Sequence, residues 1–301
     1  MKISVGIVGY GNLGKALKKQ LSDNDYFNLE AVFSRRKIKG TISTDDILKY
    51  KDKIQILFLC VGSQNDLEKQ ALCYINDFDI VECYDNHAKL QNYHKKLDKV
   101  AKNSRHVALC SLGWDPGLFS LMRGLFESLD LNSVTFWGKG TSQGHTQAIK
   151  NIVGVEDAIQ FTVPDKKKIL MVKKGKNIWD EKELHHRQCF VVAKKNYHDS
   201  IKNQILTMKD YFKGYKTTIK FVSNKKLEKI KCFSHKGEVA TVGDIANFSL
   251  NLPSNPEFTA KVMVAYAKSL SEFVGNGNFG VKTIFDIPLK YICKDNIYCY
   301  L

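Results

Sequence analysis

A chain of 301 residues with 44% apolar side chains is long enough for about two domains and can bury a core without disulfides. Its 5 Pro and 20 Gly argue against a disordered or fibrous protein, and no run of about 18 apolar residues predicts a membrane helix. The net charge of +15 comes from lysines spread along the chain without interleaved aromatic residues. We therefore predict a solvated basic surface with pockets for anionic ligands, not a nucleic-acid interface.

The beginning of the chain shows no signal peptide, because Met1 and Lys2 lead directly into a strand-like apolar stretch. This start predicts a cytoplasmic protein. The eight cysteines form no CxxC pair and fit no zinc or haem spacing. We therefore expect reduced thiols and no metal centre.

The first 110 residues alternate between strand and helix patterns. We predict strands at 3–8, 29–33, 54–60, 80–84 and 107–110, and helices at 12–22, 65–74 and 90–102. Segment 54–60 is almost entirely apolar, as expected of a strand covered on both faces of a parallel sheet. The alternation predicts an α/β domain with a doubly wound parallel sheet of the Rossmann type.

After Gly113 the pattern changes to that of an α+β domain with a mostly antiparallel sheet and few helices. Pro116 suits the first turn of a helix over 118–129. Strands are predicted at 133–137, 158–163, 188–193 and 217–222, with a helix at 198–208 and a long one at 257–274. The predicted domains are residues 1–117, with 256–301 packing back on them, and residues 118–255.

A glycine motif joins the first strand to the first helix. It comprises Gly9, Tyr10, Gly11, Asn12, Leu13 and Gly14. In this context G-x-G-x-x-G is typical of dinucleotide binding: Gly9 permits the tight turn, Gly11 lets the pyrophosphate approach, and Gly14 brings the helix close to the strand. Free amides at the helix start would face the anion. The alternative is a glycine-rich turn without a ligand.

The end of the second strand indicates which dinucleotide binds. An NAD enzyme usually carries an Asp or Glu there, about 20 residues beyond the motif, for the ribose 2′-hydroxyl. Here the residues are Ser34, Arg35 and Arg36, and no carboxylate is available at the strand tip. Two guanidinium groups and a hydroxyl suit a 2′-phosphate, so we predict NADP. The alternative is a solvated arginine pair.

Three further segments follow strands of the predicted sheet. Cys60, Val61, Gly62 and Ser63 end the third strand, where small residues leave room for the ribose and nicotinamide of the cofactor. Asp85, Asn86 and His87 end the next strand near the expected nicotinamide, and Trp114 and Asp115 follow the last one. Two carboxylates there could hold an ammonium group or transfer protons. Turn formation at Asp85-Asn86 and helix capping by Asp115 are the alternatives.

Nine segments in order along the chain resemble the meso-diaminopimelate dehydrogenases: VGYGNLG, FSRR, LFLCVGS, YDNH, GWDPG, FWGKGTSQGH, HRQCFVVA, MKDYF-GY and SNPEFTA. GWDPG followed by FWGKGTSQGH is more diagnostic than the glycine motif. The resemblance implies an NADP-dependent enzyme of the bacterial lysine and cell-wall pathway, generally a homodimer. Its reaction is oxidative deamination of the D-centre of meso-2,6-diaminopimelate to L-2-amino-6-oxopimelate and ammonia, or the reverse reductive amination.

The resemblance also implies roles for individual residues. Asp85 and Asp115 would engage a substrate amino group, and Trp114 and Trp137 would wall the pocket. The other implied substrate contacts are Gln143, Gly144, Thr162, Arg187, His235 and Asn255. The second domain would bind substrate and carry a self-complementary dimer face. A surface arginine, a loop histidine and a core tryptophan are the alternatives for Arg187, His235 and Trp137.

The chain departs from the family pattern in three places. Gln147 stands where members often have Asp, segment 234–238 is less glycine-rich than expected, and segment 166–184 is divergent. The alternative functions are an NADP-dependent reductase of the same plan, like dihydrodipicolinate reductase or homoserine dehydrogenase, and a non-catalytic NADP-binding scaffold. The sequence does not decide which aspartate accepts a proton.

Overall fold

A computed structural model describes residues 2–63, 66–176, 180–209, 211–232, 234–293 and 296–301. The chain divides into two compact units, Met1–Leu121 with Pro256–Leu301, and Met122–Asn255. No helix in the described ranges is long and apolar enough to cross a membrane.

The first unit contains a seven-stranded sheet in which every neighbouring pair is parallel. Its strands are β1 (Ile3–Val8), β2 (Phe27–Ser34), β3 (Ile42–Ser43), β4 (Ile56–Leu59), β5 (Asp79–Glu82), β6 (Val107–Leu109) and β14 (Gly280–Lys282). They lie in the order β14-β6-β5-β4-β1-β2-β3. The order reverses direction at β1, which is where doubly wound folds bind their ligands. The predicted Rossmann-type sheet is confirmed.

Helices cover both faces of this sheet. They are α1 (Asn12–Leu21), α2 (Leu67–Tyr74), α3 (Leu90–Ser104), α4 (Leu118–Ser128), α10 (Asn255–Ala267) and α11 (Leu270–Gly275). One apolar core joins Ile7 and Phe58 to α1 and α10, and a second joins Leu57 and Leu59 to α2 and α3. All four side chains of β4 are buried. Successive residues of a strand point to opposite faces, so both faces of the sheet are covered at this strand. The division between the units falls within α4.

Two helix predictions for the first unit need correction. The helix expected over 257–274 is two helices separated by a turn at residues 268–269, where the Ser269 backbone N–H and hydroxyl donate to the Tyr266 carbonyl at 3.0 and 2.7 Å. Pro116 does not open a helix, since α4 begins at Leu118. The predicted start of α2 at Asn65 lies outside the described residues.

The second unit contains two smaller sheets. Its strands are β7 (Ser133–Trp137), β8 (Gly140–Thr141), β9 (Val155–Pro164), β10 (His185–Ala193), β11 (Lys216–Phe221), β12 (His235–Thr241) and β13 (Asn247–Leu252). One sheet has the order β11-β10-β9-β8 and the other β13-β12-β7. Every pair is antiparallel except β10 with β11, so the predicted mostly antiparallel domain is confirmed.

The second unit is richer in helices than the sequence indicated. Besides α8 (His198–Thr207), it has α5 (Gln143–Lys150), α6 (Lys166–Lys173), α7 (Glu181–Leu184) and α9 (Asn224–Ile230). Several of these are short helices whose start is fixed by a side-chain cap. Asp165 accepts from two backbone N–H groups at the start of α6, and Ser223 accepts from one at the start of α9. Such short helices carry too few apolar positions for a clear period.

Candidate active site

The glycine motif forms a narrow cradle at the carboxyl end of β1. Gly9 has φ +98°, and an added Cβ there would lie 2.6 Å from the Cys60 carbonyl oxygen. An added Cβ at Gly14 would lie 2.0 Å from the Gly9 carbonyl oxygen. At Gly11 the same atom would meet nothing within 4 Å. Two glycines are therefore required by close packing, while Gly11 leaves space above the loop.

The space above Gly11 adjoins the start of α1. Gly11 immediately precedes the helix and offers no side chain to its amides, and the first turn contains no acidic residue. The N-terminal end of a helix carries partial positive charge and favours an anion. Tyr10, Asn12 and Leu13 are half-buried or exposed around this end. The cradle thus fits the pyrophosphate of a dinucleotide.

The residues after β2 contain an ion pair that the sequence did not predict. Ser34 is buried, and its hydroxyl accepts from the Arg36 backbone N–H at 3.1 Å. Arg35 and Arg36 are exposed. Asp66, which precedes α2, accepts from both terminal nitrogens of Arg35 at 3.1 and 2.7 Å. The expectation that no carboxylate is available at this strand tip was therefore wrong, because a distant loop supplies one.

The loop after β4 lies beside the glycine motif. The Cys60 backbone N–H donates to the Val8 carbonyl at 2.7 Å, which continues the pairing of β1 with β4. Burial raises the pKa of the Cys60 thiol, so this sulfur stays protonated. Val61 packs against the core, and an added Cβ at Gly62 would meet nothing within 4 Å. The loop therefore leaves a second open area at the same sheet edge.

Ser63 joins this loop to the segment after β5. Its hydroxyl accepts from the Asp85 backbone N–H at 3.4 Å. The predicted turn is present, since the His87 N–H donates to the Asp85 carbonyl at 3.1 Å. Asp85 is exposed and Asn86 is half-buried. Turn formation uses the backbone of Asp85, so its carboxylate is available for another role.

A buried glutamate ties the loops after β5 and β6 together. The Glu82 carboxylate accepts from the backbone N–H groups of Tyr84 and, at 3.2 Å, Ser111, and it faces the Tyr93 hydroxyl at 3.4 Å. Burial raises the pKa of Glu82 to about 7, although these hydrogen bonds oppose the shift. Ser111 has φ +57°, a conformation that costs free energy in a non-glycine residue. Glu82 therefore helps to hold both chain segments that carry the predicted catalytic aspartates.

Glu82 also belongs to a small group of metal-type donors. Its carboxylate, a His94 ring nitrogen and the Cys110 sulfur lie within 4.8 Å of one another. Burial raises the pKa of the Cys110 thiol and lowers that of the His94 ring. His94 Nε2 lies 3.2 Å from the Ser111 hydroxyl, and the carboxylate oxygens already accept backbone N–H groups. This chemistry fits a hydrogen-bond network better than a metal centre.

The segment after β6 folds into a closed loop. The Gly113 N–H donates to the Pro116 carbonyl at 3.0 Å, and Gly117 has φ +134° with the Gly113 carbonyl directly against it. Trp114 is buried and packs edge-on against Phe119, with ring centroids 5.2 Å apart. The residue that precedes α4 is Gly117, two positions after Asp115. Asp115 therefore lies one residue before Pro116 in this closed loop and does not directly precede the helix.

The second unit brings together Thr162 and Arg187 on neighbouring strands. Both are buried, and Arg187 Nη1 donates to the Thr162 hydroxyl at 2.6 Å. The guanidinium lies over the Tyr215 ring, 4.2 Å from its centroid. The two residues are paired directly in the β9–β10 register. Arg187 is thus a buried cation on a rigid sheet, not a surface residue.

Trp137 and His235 lie near this pair. His235 is buried against the backbone of Gly140, where an added Cβ would lie 2.4 Å from its ring, and Gly140 pairs with Thr162. The Trp137 backbone N–H donates to His185 Nε2 at 2.8 Å, and the centroids of the Trp137 and His185 rings are 5.0 Å apart. His235 begins β12, so it belongs to a strand and not to a loop.

Gln143 and Gly144 open α5, which starts beside β9. Ser142 caps the helix by accepting from the His145 N–H, and its own N–H donates to the Gln160 carbonyl. Burial lowers the pKa of His145 to about 3, so this ring is neutral. The departure at Gln147 lies on the exposed side of α5, where its amide donates to Asn151 at 3.0 Å. Asn255 begins α10 and is half-buried.

The sequence analysis did not predict several polar residues that contact the site residues of the first and second units. Asp66, Glu82, Gln160, His185 and Tyr215 each contact a predicted site residue or its loop. Tyr215 is the last residue of the family-like segment MKDYF-GY, and this segment is the sequence signal that could have identified it. Of the other four, three lie within strands and Asp66 directly precedes a helix, so in the sequence they resemble ordinary structural residues.

Comparison with known proteins identifies the family. A meso-diaminopimelate D-dehydrogenase of Ureibacillus thermosphaericus is 40% identical, over 95% of this chain and 94% of the relative. The sequence profile of the diaminopimelic acid dehydrogenase C-terminal domain matches residues 113–255. This chain belongs to the meso-diaminopimelate dehydrogenase family.

Solved structures of this family share the whole fold. The Corynebacterium glutamicum diaminopimelate dehydrogenase in complex with DAP has a TM-score of 0.93 and 33% identity, covering 99% of this chain and 98% of that one. An engineered D-amino acid dehydrogenase bound to NADP+ has a TM-score of 0.92 and 32% identity with the same coverage. The similarity to this family therefore covers both units, and it includes the described residues of the divergent segment, 166–176 and 180–184.

A matched pair of glycine variants tests the cradle. In Gly14→Ala the new Cβ must displace the Gly9 carbonyl, and overpacking of this kind costs on the order of 1–3 kcal/mol. We expect a lower unfolding temperature. Gly11→Ala should fold normally, because its Cβ meets no protein atom, but should bind NADP at least about tenfold more weakly. Thermal unfolding and calorimetric titration with NADP separate these effects; full NADP affinity in Gly11→Ala would contradict the pyrophosphate assignment.

The buried Glu82 predicts a pH dependence of stability. Because its folded-state pKa is raised from 4.5 to about 7, the folded chain binds this proton more tightly than the unfolded chain does. The resulting stability is present below about pH 4.5 and is lost as the pH rises towards 7, by up to about 3 kcal/mol. Glu82→Gln should remove this decline, whatever its effect on stability at low pH.

Urea unfolding of both proteins between pH 5 and 8 measures the difference in slope. The exposed Glu272→Gln is the matched control and should follow the native pH profile. Parallel profiles for the native chain and Glu82→Gln would show that Glu82 does not titrate in this range.

Proposed function

We propose that this chain catalyses the NADP-dependent oxidative deamination of the D-centre of meso-2,6-diaminopimelate, and the reverse reductive amination, in lysine and diaminopimelate biosynthesis. The observation that carries the proposal is the position of two aspartates. Asp85 and Asp115 follow β5 and β6, which run parallel to β1. Both residues therefore follow strands that end at the same sheet edge as β1, which supports a shared site with the glycine cradle.

The substrate has chemistry that the proposed residues match. Diaminopimelate carries an ammonium and a carboxylate group at each end, so its recognition requires both acidic and cationic partners. Asp85 and Asp115 supply the acidic partners. Arg187 supplies a buried guanidinium that is already oriented by Thr162 and Tyr215. A fixed planar donor of this kind suits a carboxylate better than a flexible lysine does.

The side chains of the second unit have complementary roles in this proposal. Thr162 accepts a hydrogen bond from Arg187, which leaves its own hydroxyl proton for a substrate carboxylate. His235 and Asn255 would contact the same end of the substrate, and Gln143 and Gly144 its chain. Trp137 would provide an apolar wall.

The cofactor would be held by the glycine cradle, by Ser34, Arg35 and Arg36 at its 2′-phosphate, and by the segments 60–63 and 85–87. When bound, the nicotinamide supplies the acceptor for the hydride that leaves the substrate α-carbon. The chain itself orients the amino group and removes a proton from it, so that the nitrogen can form a double bond to carbon. Asp85 and Asp115 are the groups that can hold or accept that proton, and Trp114 limits the access of bulk water.

A spectrophotometric assay tests the function directly. We expect NADPH to form on addition of meso-diaminopimelate and NADP, with far weaker signals from simple D-amino acids or homoserine. Reaction with NAD should be slower, because Arg35 and Arg36 lack their phosphate partner. Turnover of homoserine but not of meso-diaminopimelate would favour a related reductase, and no turnover with intact NADP binding would favour a scaffold.

The aspartates predict a loss of catalysis without a loss of folding. Asp115→Asn and Asp85→Asn should fold normally and still bind NADP but lose about 10²-fold or more in kcat/KM, the usual scale for a general acid–base group. Asp52→Asn, an exposed residue of the same unit, is the control and should retain full activity. Near-native turnover in Asp115→Asn would remove the catalytic assignment of that residue.

We also propose that the protein is a cytoplasmic homodimer. The support for the dimer is family membership, since oligomers of one chain usually form through a self-complementary surface. We expect sedimentation velocity to give about twice the 34.2 kDa mass of the single chain. A species of single-chain mass at micromolar concentration would contradict the dimer.

A further inference from the structure

The Arg35–Asp66 ion pair spans the proposed dinucleotide site. In the sheet β1 lies between β2 and β4, so the loops after β2 and β4 stand on either side of the glycine cradle. Arg35 belongs to the first of these loops and Asp66 to the second. Their contact therefore joins the two sides of the site above the end of β1.

The Asp66 carboxylate is used for this contact and not for its own helix. An Asp immediately before a helix commonly accepts from the first backbone amides. Asp66 precedes α2 but makes no side-chain cap bond. Its two oxygens accept instead from Arg35 Nη1 and Nη2 at 3.1 and 2.7 Å. The Asp66 N–H donates to the Gly62 carbonyl at 3.2 Å, which fixes the backbone that presents the carboxylate.

Stability does not account for this arrangement. The side chains of Arg35 and Asp66 are 63% and 27% exposed, and ion pairs at exposed positions contribute little to folding. A cap bond to α2 would have been the more stabilising use of Asp66. The pairing is therefore better explained by what it does to Arg35.

The geometry of the pair leaves one side of the guanidinium for another anion. Asp66 occupies the terminal edge, formed by Nη1 and Nη2. Arginine has a second edge, formed by Nε and one Nη, which also binds an oxyanion through two parallel hydrogen bonds. We propose that Asp66 is a positioning residue for the 2′-phosphate of NADP: it holds Arg35 by the terminal edge so that the Nε edge faces the phosphate. This inference rests on the proposed NADP-dependent function.

Two effects of Asp66 oppose each other. Its negative charge repels the phosphate, but the guanidinium stands between the two anions and attracts both. Arginine otherwise loses much rotamer freedom when it is fixed by a ligand, and the ion pair imposes that restriction before the cofactor arrives. We expect positioning to be the larger effect at physiological salt.

Calorimetric titration with three ligands measures the role of Asp66. Asp66→Asn should bind NADP and adenosine 2′,5′-bisphosphate about five- to tenfold more weakly than the native chain, and NAD within about twofold of it. Asp66→Ser, which also suits the position before a helix, should show at least the same loss. An unchanged unfolding temperature and unchanged NAD affinity establish that each variant is folded.

A double-mutant comparison shows whether Asp66 acts through Arg35. In an Arg35→Ala background, Asp66→Asn should have no further effect on NADP affinity. In an Arg36→Ala background it should keep its full effect, because Arg36 makes no ion pair within the described part of the chain. Additive losses in Arg35→Ala would overturn the inference.

The inference is also overturned if Asp66→Asn binds NADP as tightly as or more tightly than the native chain, or if NADP and NAD are weakened equally. These outcomes are distinct from failure of the proposed function. That failure would appear in the native chain itself, as absent NADP binding or absent turnover of meso-diaminopimelate.

Discussion

Parallel pairing of β1 with its neighbours β2 and β4 determines where chemistry can occur in the first unit. Strands that run in one direction present their carboxyl ends at one edge, so the loops after β1, β2, β4, β5 and β6 all open on the same side. The pairing also brings the Cys60 carbonyl against Gly9, which restricts that position to glycine. The cradle, the arginines and both aspartates thus owe their proximity to a single sheet.

Holding these loops has an electrostatic cost, which is concentrated at Glu82. A carboxylate removed from water favours its neutral form, and burial accordingly raises the pKa of Glu82 to about 7. In return it accepts backbone N–H groups from the segments after β5 and β6, which would otherwise be unsatisfied inside the protein. A shorter or apolar side chain could not join both loops. The rigidity of the aspartate-bearing segments therefore depends on a group that weakens the fold as the pH rises.

The sequence was sufficient where a local pattern determines the structure. The apolar run of β4, the glycine motif and the helical spacing of α1 each depend on neighbouring residues, and the predicted sheet followed from them. Asp66 could not be predicted, because its partner Arg35 is distant in the chain and meets it only when β2 and β4 flank β1. The break at residues 268–269 was also missed, since the helical pattern of the sequence continues through this turn.

The use of arginine shows where this chain requires directional recognition. Only five of its 46 basic side chains are arginines. Arg105 lies over the Phe279 ring and Arg123 donates to Thr135, so both have structural partners. The other three are Arg35, Arg36 and Arg187, at the two places where an anionic group of cofactor or substrate is expected. A lysine-rich chain has ample positive charge for long-range attraction, so charge alone does not explain these choices. The planar guanidinium does, because it can be oriented by one partner, Asp66 or Thr162, while it binds another.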